Sequence, residues 1–333
     1  MNFLVLDRTR FMTKARLEDL PNELLTDVFK NLNAHDLFRA FSQLNNRFDR
    51  LIRSFSYLQL MLHLETSNMI KTNDEIFPFY VHTLVVDPWI NFNLHQYPNV
   101  RCLSLNSPLP QVLEQLKPEI MPHLERLSVS YVFNMYEIVL LHDKIFSNRF
   151  LHLKSCHLFE QETLMTMQQW TSAPSIRVLK TKLIDANVFT TILSACPNLL
   201  VLKFNLSPFS DTPTASQCHS TLKRMIVEMQ ADDWLDDDSS LHGFLACVPN
   251  LEQLDIHRKT SWQPVKDRST NYDWFASMIA VHLPRLRRLH VCLHLNREDS
   301  AADAALLDTM QRNFVDRHQH AYQARLDFEP DEL

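Results

Sequence analysis

A short phrase recurs along this chain and limits what it can fold into. It appears as YPNVRCLSL (97–105), MPHLERLSV (121–129), APSIRVLKT (173–181), CPNLLVLKF (196–204), VPNLEQLDI (248–256) and LPRLRRLHV (283–291). Each copy is a proline followed by an L-x-x-L-x-L type core. The prolines, Pro98, Pro122, Pro174, Pro197, Pro249 and Pro284, are separated by 24, 52, 23, 52 and 35 residues. The two gaps of 52 are twice 26, so each predicts one decayed copy. RFLHLKS (149–155) and STLKRMIV (220–227) lie where those copies are needed, and FPFYVHTLVV (77–86) reads as one more at the front. The L-x-L part predicts a short strand of period two, with leucines facing one way and the intervening residues the other. Helical stretches fall between. Asp185 can cap a helix bearing Val188, Phe189, Ile192, Leu193 and Cys196, and Asp273 one bearing Trp274, Phe275, Met278 and Ile279. One strand with one helix cannot bury its own apolar face, whereas stacked copies can.

A period of ~20–29 residues with this core is the signature of leucine-rich repeats. The expected fold is therefore an α/β solenoid over residues 61–299, with a curved parallel sheet lining a concave side and helices outside. The asparagine ladder of the strict repeat is missing and the repeat length drifts, as in the irregular repeats of F-box/leucine-rich-repeat proteins. A segment over 300–333 fits a terminal cap: Ser300 opens a helix with Leu306, Leu307, Met310, Phe314 and Val315, and YQARLDF (322–328) adds a last strand.

Ahead of the repeats, residues 15–60 read as three short helices behind a tail of 1–14. Pro21 suits the first turn of a helix. Leu25, Val28, Phe29 and Leu32 follow at helical spacing, and Leu24 widens the stripe. Asp36 is placed to cap a second helix carrying Leu37, Phe38, Ala40, Phe41 and Leu44, which wrap much of its circumference. Asn45 and Asn46 break it, and Phe48, Leu51, Ile52 and Phe55 form a third stripe. A unit this small buries too little surface to be comfortable alone, so the surplus apolar surface points to a partner.

The stretch Leu20-Pro21-x-Glu23-Leu24-Leu25-x-x-Val28-Phe29, then Asp36-Leu37, then Arg47-Phe48-x-x-Leu51-Ile52, resembles an F-box. That resemblance implies docking on the Skp adaptor of cullin–RING ubiquitin ligases. It also implies an adaptor-facing surface from Leu20, Pro21, Leu24, Leu25, Val28 and Phe29, with Leu37, Phe41 and Phe48. The family often has Trp where Phe48 stands, and Phe keeps the aromatic packing. The chain would then be a substrate-recognition adaptor of an SCF-type ligase, the repeats holding the target. A scaffold working outside ubiquitin transfer is the alternative.

The remaining chemistry is mostly excluded. The chain has one glycine, Gly243, so phosphate-cradling loops and nucleophile elbows, which need several, cannot be built. No catalytic arrangement can be argued and no cofactor is implied. A net charge of −6 argues against coating nucleic acid, and no apolar run approaches the ~18–20 residues of a membrane span. The apolar stretch after Met1 is cut short by Asp7, too short for a signal-peptide core. Six scattered cysteines without a CxxC pair read as reduced thiols in a cytoplasmic or nuclear protein. His290, Cys292 and His294 share one strand face and are types that bind zinc. Residues i and i+2 lie ~6.5–7 Å apart, however, and no fourth ligand is apparent, so no metal is expected. ADDWLDDDSS (231–240) reads as a solvated loop. By the repeat phase, His152, Lys154, Val178, Lys180, Lys182, Val201, Lys203, Asn205 and Arg224 should look into the concave face. Lys154, Lys180, Lys182, Lys203 and Arg224 would give a basic surface for an acidic or phosphorylated target.

Overall fold

The structure, a computed structural model, describes residues 16–32, 34–54, 60–64, 77–132, 135–159, 170–206, 213, 218–230, 239–260, 273–295, 304–318 and 322–330. The tail of 1–14, Ser300 and most of the aspartate-rich loop around Trp234 lie outside these residues. The chain divides into two compact units, Met1–Met61 and Leu62–Leu333.

In the first unit a turn of 3-10 helix (Leu17–Asp19) leads into α1 (Asn22–Lys30), α2 (Ala34–Phe41) and α3 (Asn46–Ser54). Pro21 stands just before α1, and its carbonyl accepts the first helical hydrogen bond, from the Leu25 N–H at 3.1 Å. Asp36 lies inside the first turn of α2 rather than ahead of it, where its charge complements the helix dipole. Leu25, Phe29, Leu37, Phe48 and Ile52 are buried. The rings of Phe29, Phe41 and Phe48 form a triangle with centroids 4.8, 6.1 and 5.6 Å apart, so each helix contributes one ring to a shared core.

The second unit is an eleven-stranded sheet in strict chain order: β1 (Leu60–Leu64), β2 (Val81–Val86), β3 (Cys102–Asn106), β4 (Arg126–Ser130), β5 (Ser155–Phe159), β6 (Val178–Ile184), β7 (Val201–Leu206), β8 (Arg224–Gln230), β9 (Gln253–Thr260), β10 (Arg288–Leu295) and β11 (Gln323–Pro330). Neighbours from β2 to β11 pair in parallel. Parallel neighbours need a crossover, and helices fill several of them. These are α4 (Pro110–Gln115), α5 (Met135–Ile145), α6 (Ala186–Ala195), α7 (Ser239–Ala246), α8 (Asp273–His282) and α9 (Ala304–His318). The result is solenoid-like. Among the described residues no helix is long and apolar enough to cross a membrane.

Alternation within the strands sets the two faces. Leu103, Leu127, Cys156, Leu179, Leu202, Met225, Leu254 and Leu289 stand side by side in register, all buried. Behind them, Phe204 of β7 meets Phe189 of α6 and Phe244 of α7 at 5.6 and 6.0 Å. Asp185 caps α6 as expected, its carboxylate accepting from the Val188 N–H at 2.8 Å. The phrase RFLHLKS, however, holds no strand: β5 begins only at Ser155. Leu153 is the buried residue ahead of the strand, equivalent to Leu124, and the strand's inward pair is Cys156 and Leu158. Reading Leu151-x-Leu153 as the strand therefore shifts that copy out of phase.

Two hydrogen-bond ladders join the copies. The residue before each strand donates its N–H to its counterpart one copy earlier: Glu125 to Arg101, Lys154 to Glu125, Arg177 to Lys154, Leu200 to Arg177, Lys223 to Leu200 and Glu252 to Lys223, each at 2.8 or 2.9 Å. The residue after the proline, or in its place, donates a side-chain bond: Asn99 to the Phe79 carbonyl, Ser175 to Phe150, Asn198 to Pro174, Thr221 to Pro197 and Asn250 to Ser220. This second ladder satisfies turn carbonyls where the strict repeat would use a uniform asparagine.

Candidate functional site

The first unit sorts the nine adaptor-facing candidates by burial. Leu25, Phe29, Leu37 and Phe48 lie inside its core with Phe38 and Ile52, which corrects their placement on an outer surface: so small a unit must spend most of its large apolar side chains on its own interior. Leu20 and Phe41 are half-buried, and Pro21 is exposed. Leu24 and Val28, on α1, are 51% and 38% exposed. α2 carries less apolar surface than expected, because Leu37 and Phe38 turn inward; Ala40 and, just beyond the helix end, Leu44 are exposed. Pro21, Leu24 and Val28 are the exposed ones among the nine candidates, and Leu17 and Leu44 are exposed apolar residues outside that set.

Arg47 fixes the geometry of the turn at Pro21. Its Nε donates to Asn22 Oδ1 at 2.9 Å, and its two terminal nitrogens reach the Glu18 carbonyl at 2.5 Å and the Leu20 carbonyl at 2.6 Å. One planar guanidinium thus holds the backbone ahead of Pro21 and the Asn22 side chain after it against the start of α3. Asn45 caps α3: its Oδ1 accepts from the N–H groups of Arg47 and Phe48, both at 3.0 Å. The sequence shows an asparagine there that ends α2, but not its second role.

On the second unit, the face opposite the buried leucines bears the strand candidates. Lys180 and Lys203 are register neighbours on β6 and β7. Lys182 lies where that register shifts, between Lys180 and Leu183. Three of the five basic candidates are already neutralised. Lys203 pairs with Glu228 at 2.5 Å, and Arg224 donates through Nε and a terminal nitrogen to Asp255 at 2.9 and 2.7 Å. Lys154 is not on the face at all: it occupies the turn ladder and pairs with Glu125 at 3.1 Å. Its hydrogen bond, with help from Arg101, holds the Glu125 carboxyl below its usual range. His152 shares this displacement, since it precedes β5. Lys180 and Lys182 have no carboxylate partner among the described residues.

Farther along the same face the charge pattern reverses. His290 Nε2 donates to Asp327 at 2.9 Å, and Arg325 holds the same carboxylate at 2.6 Å. Burial works to raise the Asp327 carboxyl, and these two hydrogen bonds outweigh it and bring it below its usual value. The His257 ring lies edge-on to His290 and stacked on His294, with centroids 5.7 and 5.8 Å away. Burial chiefly, then the two neighbouring imidazoles, keeps His257 below the ordinary histidine value. Cys292 is fully buried between them, its thiol pushed up to about 12 by burial and by the Glu329 and Asp327 carboxylates. His257 is absent from the sequence reading because only sheet register brings β9 beside β10. All six cysteines are free thiols.

Comparison with known proteins bears on the first unit. No curated protein matches the chain. The family model for the F-box domain matches residues 17–60, from the 3-10 turn through α3 and into β1, the span over which Arg47 braces the Leu20-Pro21 turn and Leu24 and Val28 stand exposed. That match identifies an F-box domain over residues 17–60 and leaves the rest of the sheet unmatched.

Proposed function

We propose that this protein is a substrate-recognition adaptor of an SCF-type cullin–RING ubiquitin ligase, and that its second unit is an irregular leucine-rich-repeat domain that holds the target. The observation that carries the reading is the F-box match at residues 17–60, followed by a parallel sheet in strict chain order. F-box domains generally bind the Skp adaptor, and Pro21, Leu24 and Val28 are the apolar side chains this one offers to it. The chain makes and breaks no covalent bond of its own. It raises the rate of ubiquitin transfer by holding target and ligase at high effective concentration, in the cytoplasm or nucleus.

The open face of the sheet supports the second half of the reading. It mixes charged and polar side chains such as Arg126, Lys180 and Arg224 with half-buried aliphatic ones, Val178, Val201 and Ile226. Purification of the full chain from cells tests the whole: the Skp adaptor, a cullin and the RING subunit should co-purify in comparable amounts. Adaptor recovered without cullin would replace the ligase with an F-box scaffold acting outside ubiquitin transfer. Recovery of neither would refute both.

A further inference from the structure

We propose that His257, Cys292 and His294 form a zinc site, closed by the Glu329 carboxylate, that ties together the last three strands of the sheet. The inference is independent of the ligase reading. The ligand atoms of the three residues all lie within 4.8 Å of one another. They come from different strands by register: Cys292 on β10 stands directly beside His257 on β9, and His294 stands directly beside Glu329 on β11. Glu329 already reaches two of the three, hydrogen-bonded to the Cys292 thiol and with an oxygen 3.7 Å from His294 Nδ1.

Donor chemistry selects the metal. Two imidazoles and a thiolate favour zinc over magnesium or calcium, which take oxygen ligands. Zn–N bonds of ~2.0–2.1 Å and a Zn–S bond of ~2.3 Å in a tetrahedron place donor atoms roughly 3.3–3.6 Å apart. Closing from 4.8 Å therefore needs a shift of about 1 Å, within reach of side-chain torsions at the partly exposed His294 and Glu329. The ~6.5–7 Å strand repeat between Cys292 and His294 ceases to be an obstacle once the adjacent strand supplies His257 between them.

The surroundings fit a structural site. Cys292 has no exposed surface, although it occupies a position on the open face, whereas His294 and Glu329 leave a path from solvent. Glu228 stands opposite His257 in the β8–β9 register, and His290, fixed by Asp327, braces the His257 ring. Four protein donors make a closed site, as structural zinc prefers, and the thiol proton leaves to solvent as the metal enters. The metal would then staple β9, β10 and β11 of the described sheet to one another.

Cobalt reports the site directly. The chelator-treated full chain should bind one equivalent of Co2+, giving a thiolate-to-cobalt charge-transfer band and the intense visible bands of a tetrahedral ion, and Zn2+ should displace it. Cys292→Ser should lose the charge-transfer band, while Cys218→Ser, at an exposed cysteine outside the cluster, keeps it. His257→Asn should weaken Zn2+ binding at least tenfold in competition with a chelating dye. Wild-type protein that gives no thiolate band with Co2+, or a Cys292→Ser protein that retains the band, overturns the proposal. The wild-type titration decides even if a variant fails to fold.

Discussion

The Arg47 guanidinium donates to the Leu20 carbonyl at 2.6 Å, across 27 residues of chain. With its bonds to Asn22 and Glu18, it converts a loose entry segment into a fixed turn ahead of α1. The exposed Leu24 and Val28 depend on that turn for their position.

Arg47→Lys keeps the charge but not the planar fork. We expect Skp-adaptor affinity to fall about tenfold, corresponding to the ~1.5 kcal/mol typical of a hydrogen bond to a charged group. Thermal unfolding of the sheet should not change. Wild-type affinity in the variant would show that the turn needs no brace.

Asn45→Ala removes the cap of α3. Such a loss typically costs ~1 kcal/mol, which predicts about fivefold faster amide hydrogen exchange at Arg47 and Phe48. Exchange within β9 and β10 should be unchanged. Equal protection at the two α3 amides would refute the capping role.

The architecture was legible because its signal is periodic. The buried residues Leu103, Leu127, Leu179, Leu202, Leu254 and Leu289 all fall at the second leucine position of the L-x-x-L-x-L core, and the register aligns them. The phase failed at β5, where Cys156 replaces leucine and Leu151 takes the place of proline, so the eye fixed on Leu151 and Leu153. The site was less legible. Spacing shows that Leu25 and Val28 share a helix stripe, but which of them faces inward depends on Phe41 and Phe48 arriving from other helices. Likewise Lys203 and Arg224 read as free cations until the neighbouring strand supplies Glu228 and Asp255.

The pairing of Lys203 and Arg224 narrows the basic surface to Lys180 and Lys182. Lys180→Glu with Lys182→Glu should reduce capture of an acidic or phosphorylated target and its dependence on salt, since exposed charges are screened within ~8–10 Å at physiological ionic strength. Lys154→Glu, in the turn ladder, should leave capture near wild type. Proximity labelling compared across the three proteins checks this. Equal loss in both variants, or none in the double variant, would place target binding elsewhere.

His318 in α9 gives the second unit a pH dependence. It is buried, and its Nδ1 shares a 2.6 Å hydrogen bond with the Tyr322 hydroxyl. Burial chiefly, and Arg317 next, lowers its pKa from 6.5 to about 4. The unfolded chain therefore binds a proton that the folded chain refuses. The stability is complete above about pH 6.5 and is lost as pH falls toward 4. His82, His157, His219 and His282 shift in the same direction. The urea midpoint should fall between pH 6.5 and 5, and His318→Gln should flatten that slope relative to wild type. Parallel slopes would show that His318 titrates normally.

The most direct measurement is a binding titration of the full-length chain with purified Skp adaptor, comparing wild type with Leu24→Asp/Val28→Asp. Both residues are already exposed, so the substitutions should leave the helices folded. Losing anchors at the centre of such a contact costs ~2 kcal/mol or more each, which predicts at least a hundredfold loss of affinity with unchanged circular dichroism and unchanged unfolding of the sheet. Tight adaptor binding by the double variant, or no binding by the wild-type chain, would contradict the account.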